Sequence, residues 1–263
     1  MLFDPVNSVS SLSFYKKIGA QPLSRTFGYL CYLAILFALA ATVALKLKAG
    51  PVIDGTFLWL EHAVPPMTYA NGRVTSDVSG PLRLQHPTLR DVAVMIDTNR
   101  TDPVTPQQME QAKVVAYLTA TAFYLRDRDE LRVFDLSHTP AGSRPVRIDA
   151  GFFRNAGIVM DRTLYPLALV AIFVLFLAWK ALASGGYSLL ALLLNSISGG
   201  SLRYPALLNI AVYAQTLVVL LLALSLYLPF AIPGFNALCL LITSVYIWLA
   251  VRPPQPLSPP ASA

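Results

Sequence analysis

Acidic and amide side chains gather at the end of one predicted strand. The cluster consists of Asp97, Thr98 and Asn99, followed by Asp102. Carboxylate and amide oxygens grouped in this way are typical of a cation or ligand site. The same residue types also occur in turns, where their side chains hydrogen-bond to their own backbone. The sequence therefore leaves a ligand site at the sheet edge and a plain turn open, and it favours the turn.

A second group of polar side chains lies inside a strongly apolar stretch. It consists of Asn209, Tyr213, Gln215 and Thr216. On a helix, positions 209, 213 and 216 share one face, because they are spaced four and then three residues apart. A polar face within a membrane helix either lines a path for a substrate or bonds to neighbouring helices, and the second use is commoner. We therefore predict helix packing and keep a substrate path as the alternative.

The sequence contains no recognisable catalytic or metal-binding motif. HExxH, GxSxG, Walker A and GxGxxG patterns are all missing. The three histidines, His62, His86 and His138, lie on separate segments without the spacing of metal ligands. The two cysteines, Cys31 and Cys239, fall in apolar stretches, where we expect them to act as small packing residues. The sequence therefore predicts a protein that is not an enzyme and that has no catalytic residues, metal or cofactor.

The composition of the chain is very apolar, and this indicates what kind of protein carries these residues. Of the 263 residues, 55% are hydrophobic and only 13% are charged, whereas roughly 25% of the residues in a soluble domain are charged. A water-soluble surface needs more polar groups than this chain provides. The composition predicts a protein whose outer surface is largely in contact with the lipid bilayer.

The net charge of +6 is unevenly distributed along the chain. Residues 50–162 carry twelve Lys and Arg against thirteen Asp and Glu, a net charge of −1, so the remainder carries +7. The excess positive charge therefore lies beside the apolar stretches, which is typical of topology signals and of contacts with lipid headgroups. A nucleic-acid-binding protein would concentrate this charge on a folded domain, so we predict no nucleic-acid partner.

Four apolar stretches are long enough to cross a bilayer, which requires about 20 residues of helix. They are residues 27–46, 164–183, 205–230 and 235–251. Each must be helical, because hydrocarbon offers no partner for an unpaired backbone N–H or C=O. The predicted fold is therefore membrane α-helical, with four transmembrane helices and an inserted extracytoplasmic α+β domain, residues 50–162, between the first and the second.

Positive charges next to the spans predict the orientation of the chain. Six of them lie on one side if the N-terminus is inside: Lys16, Lys17, Arg25, Lys180, Arg203 and Arg252. Only Lys46 and Lys48 then flank a span on the other side. By the positive-inside rule, both termini are cytoplasmic and the inserted domain lies outside the cytoplasm. We expect Lys180, near the end of its span, to extend toward the membrane surface.

Three further segments are not expected to cross the membrane. In residues 1–26, apolar side chains recur every three positions beside Lys16 and Lys17, which predicts a cytoplasmic amphipathic helix at the membrane interface. Residues 184–204 have paired glycines near each end and predict a cytoplasmic interfacial or re-entrant segment. Residues 252–263 are rich in proline and are predicted to be a disordered tail.

Local signals within the inserted domain predict both strands and helices. Asn71-Gly72, between two β-prone stretches, is a strong signal for a two-residue hairpin turn. Thr105 and Gln108 predict a capping box at the start of a helix, and Asp149 is expected to cap the helix that leads into the second span. The other predicted elements are a short helix after residue 54, a helix ending near residue 115, and strands at 82–85, 92–97, 119–125 and 131–136.

Several short stretches resemble a known family. They are SLSFYKKIGAQPLSRTFGYL before the first span, the NGRV turn, the strand ending MIDT, and PALLNIAVYAQT opening the third span. With the order of one span, an outer domain and three spans, the chain resembles the bacterial membrane family catalogued as domain of unknown function 1189, from about residue 11 to residue 251. Spans two to four also distantly resemble Yip1-type membrane domains. The resemblance implies a bacterial inner membrane with the domain in the periplasm or cell wall space, and no established activity.

The sequence supports three hypotheses about function. The leading one is a non-enzymatic binding, sensing or scaffold protein whose outer domain contacts an envelope partner or ligand. The second is a small transporter or transporter accessory subunit, which requires a water-accessible groove beside Asn209 and Tyr213. The third is a membrane enzyme of unfamiliar type, which requires His86, Asp97 and His138 to converge on one pocket.

Overall fold

The chain folds into two compact units, which are seen in a computed structural model. The first unit, called the bundle below, comprises Met1–Leu47 and Tyr165–Ala263, and the second, called the strand unit, comprises Lys48–Leu164. The structure describes residues 4–89, 91–127, 130–138 and 144–252. The predicted disordered tail therefore lies, beyond Arg252, outside the described residues.

Helices dominate the described part of the chain. They are α1 (Asp4–Ser10), α2 (Leu12–Gly19), α3 (Leu23–Ala63), α4 (Pro106–Gln111), α5 (Ala150–Ile197), α6 (Tyr204–Ala214), α7 (Thr216–Ser225) and α8 (Phe235–Val251). Among the described residues, three stretches are long and apolar enough to cross a membrane: α3, α5 and the run formed by α6 and α7. Because the β-strands lie between α3 and α5 in the sequence, the structure agrees with a membrane protein that carries an inserted region of mixed helices and strands.

The fourth predicted span coincides with α8, an apolar helix of 17 residues. At 1.5 Å per residue this helix is about 26 Å long, slightly shorter than the hydrocarbon core of about 30 Å. It begins after Gly234, whose φ of 71° is left-handed and lets the chain turn sharply from the preceding loop. The four-span topology stays a prediction.

Helix α3 continues well past its predicted span to Ala63. It passes through Pro51, although a proline inside a helix removes one backbone hydrogen bond. The continuation is stabilised because Trp59 and Leu60 pack on the core of the strand unit. The separate short helix predicted after residue 54 is therefore the last part of α3.

Helix α5 likewise joins two segments that were predicted as separate. It runs from Ala150 through Gly185 and Gly186 to Ile197, whereas the sequence predicts a distinct interfacial or re-entrant segment from residue 184 onward. One face of this last part is buried in the bundle, at Ser184, Ser188, Ala191 and Asn195. Burial at positions three or four apart stabilises the helix across its two glycines.

Helices α1 and α2 pack into the bundle, and the apolar face of α2 is covered by protein. Tyr15 and Ile18 are 2% and 1% exposed, and they share a hydrophobic core with Leu207, Ile210 and Ile247. The three-residue periodicity identifies the buried face of α2, but it is wrong in α1, where Val6 is 63% exposed and Asp4, Pro5 and Ser8 are buried. The structure differs from the prediction in what covers that face, because helices α6 and α8 lie against it where a membrane interface was expected.

The strand unit contains two sheets. Its strands are β1 (Met67–Ala70), β2 (Arg73–Ser76), β3 (Leu82–Gln85), β4 (Ala93–Asp97), β5 (Ala116–Thr119), β6 (Ala122–Asp127), β7 (Glu130–Asp135) and β8 (Val146–Ile148). The smaller sheet has the order β2-β1-β8 and the larger one β3-β4-β5-β6-β7. All neighbouring strands are antiparallel except β4 and β5, which are parallel.

The predicted hairpin at Asn71-Gly72 is confirmed. Strands β1 and β2 pair with Ala70 opposite Arg73, and the two turn residues have φ values of 51° and 76°. Two successive positive φ values are what a type I′ turn requires. A Cβ added to Gly72 would lie 2.5 Å from the backbone oxygen of Ser137, so close packing also requires glycine here.

Both predicted helix starts in the strand unit are confirmed. The Thr105 hydroxyl accepts a hydrogen bond from the backbone N–H of Gln108 at 3.3 Å, and the Gln108 side chain accepts one from the backbone N–H of Thr105 at 3.1 Å. Asp149 Oδ1 accepts from the backbone N–H of Phe152 at 3.1 Å. Helix α4 is shorter than predicted and ends at Gln111, because the apolar run after it forms the central strand β5.

Candidate functional site

Asn209 ties helix α6 to the connection between α2 and α3. Its Oδ1 accepts a hydrogen bond from the Thr26 hydroxyl at 2.6 Å. Its Nδ2 donates to the backbone oxygens of Ile18 at 3.1 Å and Gln21 at 2.8 Å. The residue is completely buried, so each of these bonds replaces a partner that water would otherwise supply.

Tyr213 and Thr216 join the same helix run to α3. The Tyr213 ring stacks on Tyr29, with centroids 4.0 Å apart and planes 3° from parallel. The Tyr29 hydroxyl lies 2.8 Å from the Thr216 hydroxyl oxygen, and Thr216 donates to the backbone oxygen of Tyr213 at 2.7 Å. On its other side Tyr213 meets the edge of Phe14 in α2. Tyr213 therefore lies between α3 and the N-terminal helices.

Gln215 occupies the break between α6 and α7 and connects this region to α5. Its Nε2 donates to the Ser184 hydroxyl at 2.9 Å and to the backbone oxygen of Ala211 at 3.1 Å. The side chain is 1% exposed. Together with Thr26, Tyr29, Asn209, Tyr213 and Thr216, Gln215 forms a buried set of polar side chains that we call the polar seam.

The N-terminal helices make further polar contacts within the bundle. The Tyr15 hydroxyl donates to the backbone oxygen of Ser8 at 2.9 Å, and the Tyr246 hydroxyl in α8 donates to that of Val9 at 3.0 Å. Asp4 forms an ion pair with Arg25 at 3.7 Å. These bonds, together with those of the polar seam, fix α1 and α2 against three other helices.

The geometry of the polar seam favours helix packing over a substrate path. Asn209, Tyr213 and Thr216 do share one face, and that face is covered by α2 and α3. Two buried atoms nevertheless have no hydrogen-bond partner among the described residues: the Tyr213 hydroxyl oxygen and Gln215 Oε1. Among the described residues of the polar seam, these two atoms are the ones to which a small polar molecule could hydrogen-bond.

Lys180 is buried in the bundle, whereas the sequence predicts that it extends toward the membrane surface. It is only 5% exposed, and its ammonium lies 5.6 Å from the centroid of the Phe176 ring. The prediction assumed that the helix ends a few residues later, where a lysine can extend to the surface. Because α5 continues to Ile197, Lys180 instead lies in the bundle, where the aromatic ring stabilises its charge.

The predicted cluster at Asp97 forms a turn. The backbone N–H of Arg100 donates to the backbone oxygen of Asp97 at 3.2 Å, and Thr98 is buried. The Asp97 carboxylate is 3.5 Å from the Tyr117 hydroxyl, whereas Asp102 presents its backbone oxygen to Arg100 at 3.3 Å. Among the described residues, no group of three His, Cys, Asp or Glu side chains is placed to hold a metal ion. The contacts favour the turn interpretation, in which Asn99 also takes part.

The residues required by the enzyme hypothesis have separate partners. His86 is buried beside Trp59, and its Nδ1 accepts from the backbone N–H of Leu89 at 3.0 Å while its Nε2 lies 3.2 Å from the Thr56 hydroxyl. His138 is exposed and lies 3.6 Å from Asp135. Both ring nitrogens of His86 are thus used in holding the fold.

An ion pair that the sequence did not reveal connects α3 and α5 in the strand unit. Arg154 donates to the Glu61 carboxylate beside a cavity of about 320 Å³. The hydrogen bond with Arg154 and its positive charge lower the pKa of Glu61, and the same bond and the negative charge of Glu61 raise the pKa of Arg154. Gly157 packs on Phe57 nearby, and a Cβ there would lie 3.2 Å from the Phe57 side chain. The partners are far apart in the sequence, so no local signal could have identified them.

Strand β7 forms one edge of the larger sheet, and its side chains are unusually exposed. Val133 is 54% exposed and Phe134 is 51% exposed. Just beyond the end of β7, the backbone N–H of Leu136 points toward the β6 side and donates to the backbone oxygen of Thr121 at 2.8 Å. Because backbone groups alternate in direction along a strand, the N–H groups of Leu131 and Val133 point away from β6. Apolar side chains beside outward-facing backbone groups are typical of a strand-pairing site.

Comparison with known proteins identifies the family. A family model described as "Protein of unknown function (DUF1189)" matches residues 6–251. The chain belongs to the DUF1189 family. No curated protein and no solved structure matches the chain. The likeness to Yip1-type membrane domains stays a prediction.

The DUF1189 match covers both units of the molecule. It begins at residue 6 in α1 and ends at residue 251, the last residue of α8. The N-terminal helices and the whole polar seam are therefore part of the family's common region. Because the family description assigns no activity, the function must be argued from the geometry of this chain.

Proposed function

We propose that this DUF1189 protein is a non-enzymatic binding protein of the bacterial inner membrane, whose strand unit contacts a protein partner in the envelope. In this proposal the segments 27–46, 164–183, 205–230 and 235–251 cross the bilayer, and both termini are cytoplasmic. The uneven distribution of positive charge supports this orientation. The length of α8 supports a fourth crossing, since about 26 Å of helix nearly matches the hydrocarbon core.

The exposed edge of β7 is the observation that supports the binding function most directly. Native proteins usually protect a sheet edge with charges, proline or a covering segment. Strand β7 does carry the charged residues Glu130, Arg132 and Asp135, but Val133 and Phe134, on opposite faces of the strand, still expose more than half of their surface. An extended segment of a partner protein fits this edge, because it would supply backbone hydrogen bonds to Leu131 and Val133 and apolar side chains to both faces.

The continuity of α3 and α5 supports a role in relaying the bound state. Each helix runs without a loop from the bundle into the strand unit. Tyr29 of the polar seam and Glu61 of the ion pair lie on the same helix, α3. In this proposal, a displacement of α3 on binding is passed along that helix to the polar seam.

Photocrosslinking in intact cells tests the proposal. The full-length protein carries a benzophenone side chain in place of Phe134, and a matched version carries it in place of Phe152, an aromatic residue of the strand unit that is 43% exposed. We expect a discrete protein adduct at Phe134 only. The substitution Val133→Pro removes an outward N–H without disturbing the pairing with β6, and it should abolish the adduct. Equal adducts at both positions, or an adduct that survives Val133→Pro, would contradict the proposal.

A transporter or transporter subunit is the second candidate function. It is favoured by the two unpartnered buried atoms of the polar seam, on Tyr213 and Gln215. Transport requires water to reach them. After Cys31 and Cys239 are replaced by alanine, a cysteine at Tyr213 should react with a membrane-permeant methanethiosulfonate reagent if this candidate is correct. Protection of that cysteine in the folded protein would exclude it.

A further inference from the structure

A cavity of about 540 Å³ opens in the bundle where α2, the loop before α6 and the end of α8 meet. This volume is typical of sites for small molecules. Its wall is partly fixed by Gly200, whose backbone N–H donates to the Asn195 backbone oxygen at 2.8 Å. A Cβ at Gly200 would collide with the Asn195 side chain in its present position, so a larger residue there requires that side chain to move.

The mouth of the cavity is positively charged. Lys16 and Arg252 both line it and are exposed, and no Asp or Glu lies among its lining residues. Neither cation forms an ion pair within the part of the chain that the structure describes. The guanidinium carbon of Arg252 lies 3.6 Å from the centroid of the Trp248 ring, a cation–π contact that helps to hold the guanidinium at the mouth of the cavity.

The floor of the cavity is apolar. Tyr15, Ile210 and Val251 line it and are 2%, 1% and 3% exposed. The cavity therefore combines two cations at one end with hydrocarbon surface at the other. A ligand that satisfies both must carry a negative charge next to an apolar body, because a free inorganic anion would leave the apolar half without a partner.

We propose that this cavity binds the headgroup of an anionic phospholipid. Lys16 and Arg252 contact the phosphodiester, and the first carbons of an acyl chain lie against Tyr15, Ile210 and Val251. Basic pockets between membrane helices are a recognised form of lipid-headgroup site. The positive-inside orientation, on which this inference also relies, places both cations at the cytoplasmic leaflet. The site shares no residue with β7, so it is independent of the proposed partner binding.

Native mass spectrometry of the full-length protein in mild detergent tests the inference. Phosphatidylglycerol and phosphatidylcholine are added at equal concentration, and the fraction of protein that retains each lipid is measured. We expect at least tenfold greater retention of phosphatidylglycerol. The double variant Lys16→Gln, Arg252→Gln should reduce that retention at least fivefold. Lys17→Gln, which changes the neighbouring exposed lysine outside the cavity, should leave retention unchanged.

A second variant distinguishes lipid binding inside the cavity from nonspecific electrostatic attraction to its two cations. Ala20 lines the cavity and is exposed, so Ala20→Phe fills it while keeping both cations. We expect this variant to lose phosphatidylglycerol retention with an unchanged thermal unfolding midpoint. Unaltered retention in Ala20→Phe, equal retention of the two lipids, or an equal loss in Lys17→Gln would overturn the inference. Full competition by glycerol 3-phosphate would also overturn it, because the site would then recognise the phosphate alone.

Discussion

Replacing Asn209 with leucine removes the polar contacts that hold the N-terminal helices in the bundle. The two side chains have similar volumes, so the change deletes hydrogen bonds without opening a large cavity. Asn209 bonds to Thr26, Ile18 and Gln21. Hydrogen bonds between membrane helices contribute about 0.6–1.7 kcal/mol each, and their loss here leaves buried groups unsatisfied. We therefore expect the free energy of unfolding to fall by about 2–4 kcal/mol for the three bonds together.

Unfolding of the full-length protein in mixed micelles of increasing SDS content measures this free energy. Asn236→Leu is the matched control, because Asn236 is exposed in the first turn of α8. Thr26→Val removes one of the three bonds and should cost about 1 kcal/mol. Since Thr26 and Asn209 share that bond, the double variant should cost less than the sum of the single variants by about 0.5–1.5 kcal/mol.

Labelling of a cysteine at Ser8 shows whether the N-terminal helices leave the bundle. Ser8 is 1% exposed, so a cysteine there should resist maleimide in the native background, with Cys31 and Cys239 replaced by alanine. In Asn209→Leu we expect faster labelling. Free energies of unfolding within about 0.5 kcal/mol of each other for Asn209→Leu and Asn236→Leu, or an unchanged labelling rate, would show that Asn209 does not hold the N-terminal helices in the bundle.

Three further predictions concern the strand unit. Arg154 lowers the pKa of Glu61, so the pair stabilises the fold above the ordinary carboxyl pKa of about 4.3 and this contribution is lost as pH falls through the lowered value. The melting temperature of Glu61→Gln should accordingly fall less steeply below that pH, and an identical acid profile would contradict the pair. Gly72→Ala should cost at least about 1–2 kcal/mol and more than Gly80→Ala in chemical denaturation, because both glycines have positive φ but only Gly72 is crowded. Thr105→Ala should cost about 1 kcal/mol through the lost cap, and unchanged stability would show that the cap is dispensable.

Features set by neighbouring residues were predictable from the sequence. The hairpin at Asn71-Gly72 and the caps at Thr105 and Asp149 follow from interactions within a few residues. The apolar periodicity of the N-terminal segment likewise identifies the buried face of α2, with Tyr15 and Ile18, although it fails at Val6 in α1. The family and the presence of long apolar helices also followed from sequence patterns.

Features that depend on distant residues were not predictable in the same way. Periodicity shows that a face is buried, but lipid and protein satisfy it equally, so the packing of α2 against α6 could not be foreseen. The pairing of Glu61 with Arg154 depends on the approach of two helices that are far apart in the chain. Similarly, Gly185 and Gly186 signal a break, and only the tertiary burial of Ser188 and Ala191 explains why α5 continues.

The membrane topology is tested most directly by labelling single cysteines in intact cells with a membrane-impermeant maleimide. With Cys31 and Cys239 replaced by alanine, one variant carries Glu130→Cys at the start of β7 and another carries Lys17→Cys in α2, both at exposed positions. We expect the cysteine at position 130 to react in intact cells and the one at position 17 to react only after permeabilisation. The opposite pattern, or reaction of neither residue before permeabilisation, would contradict an extracytoplasmic strand unit.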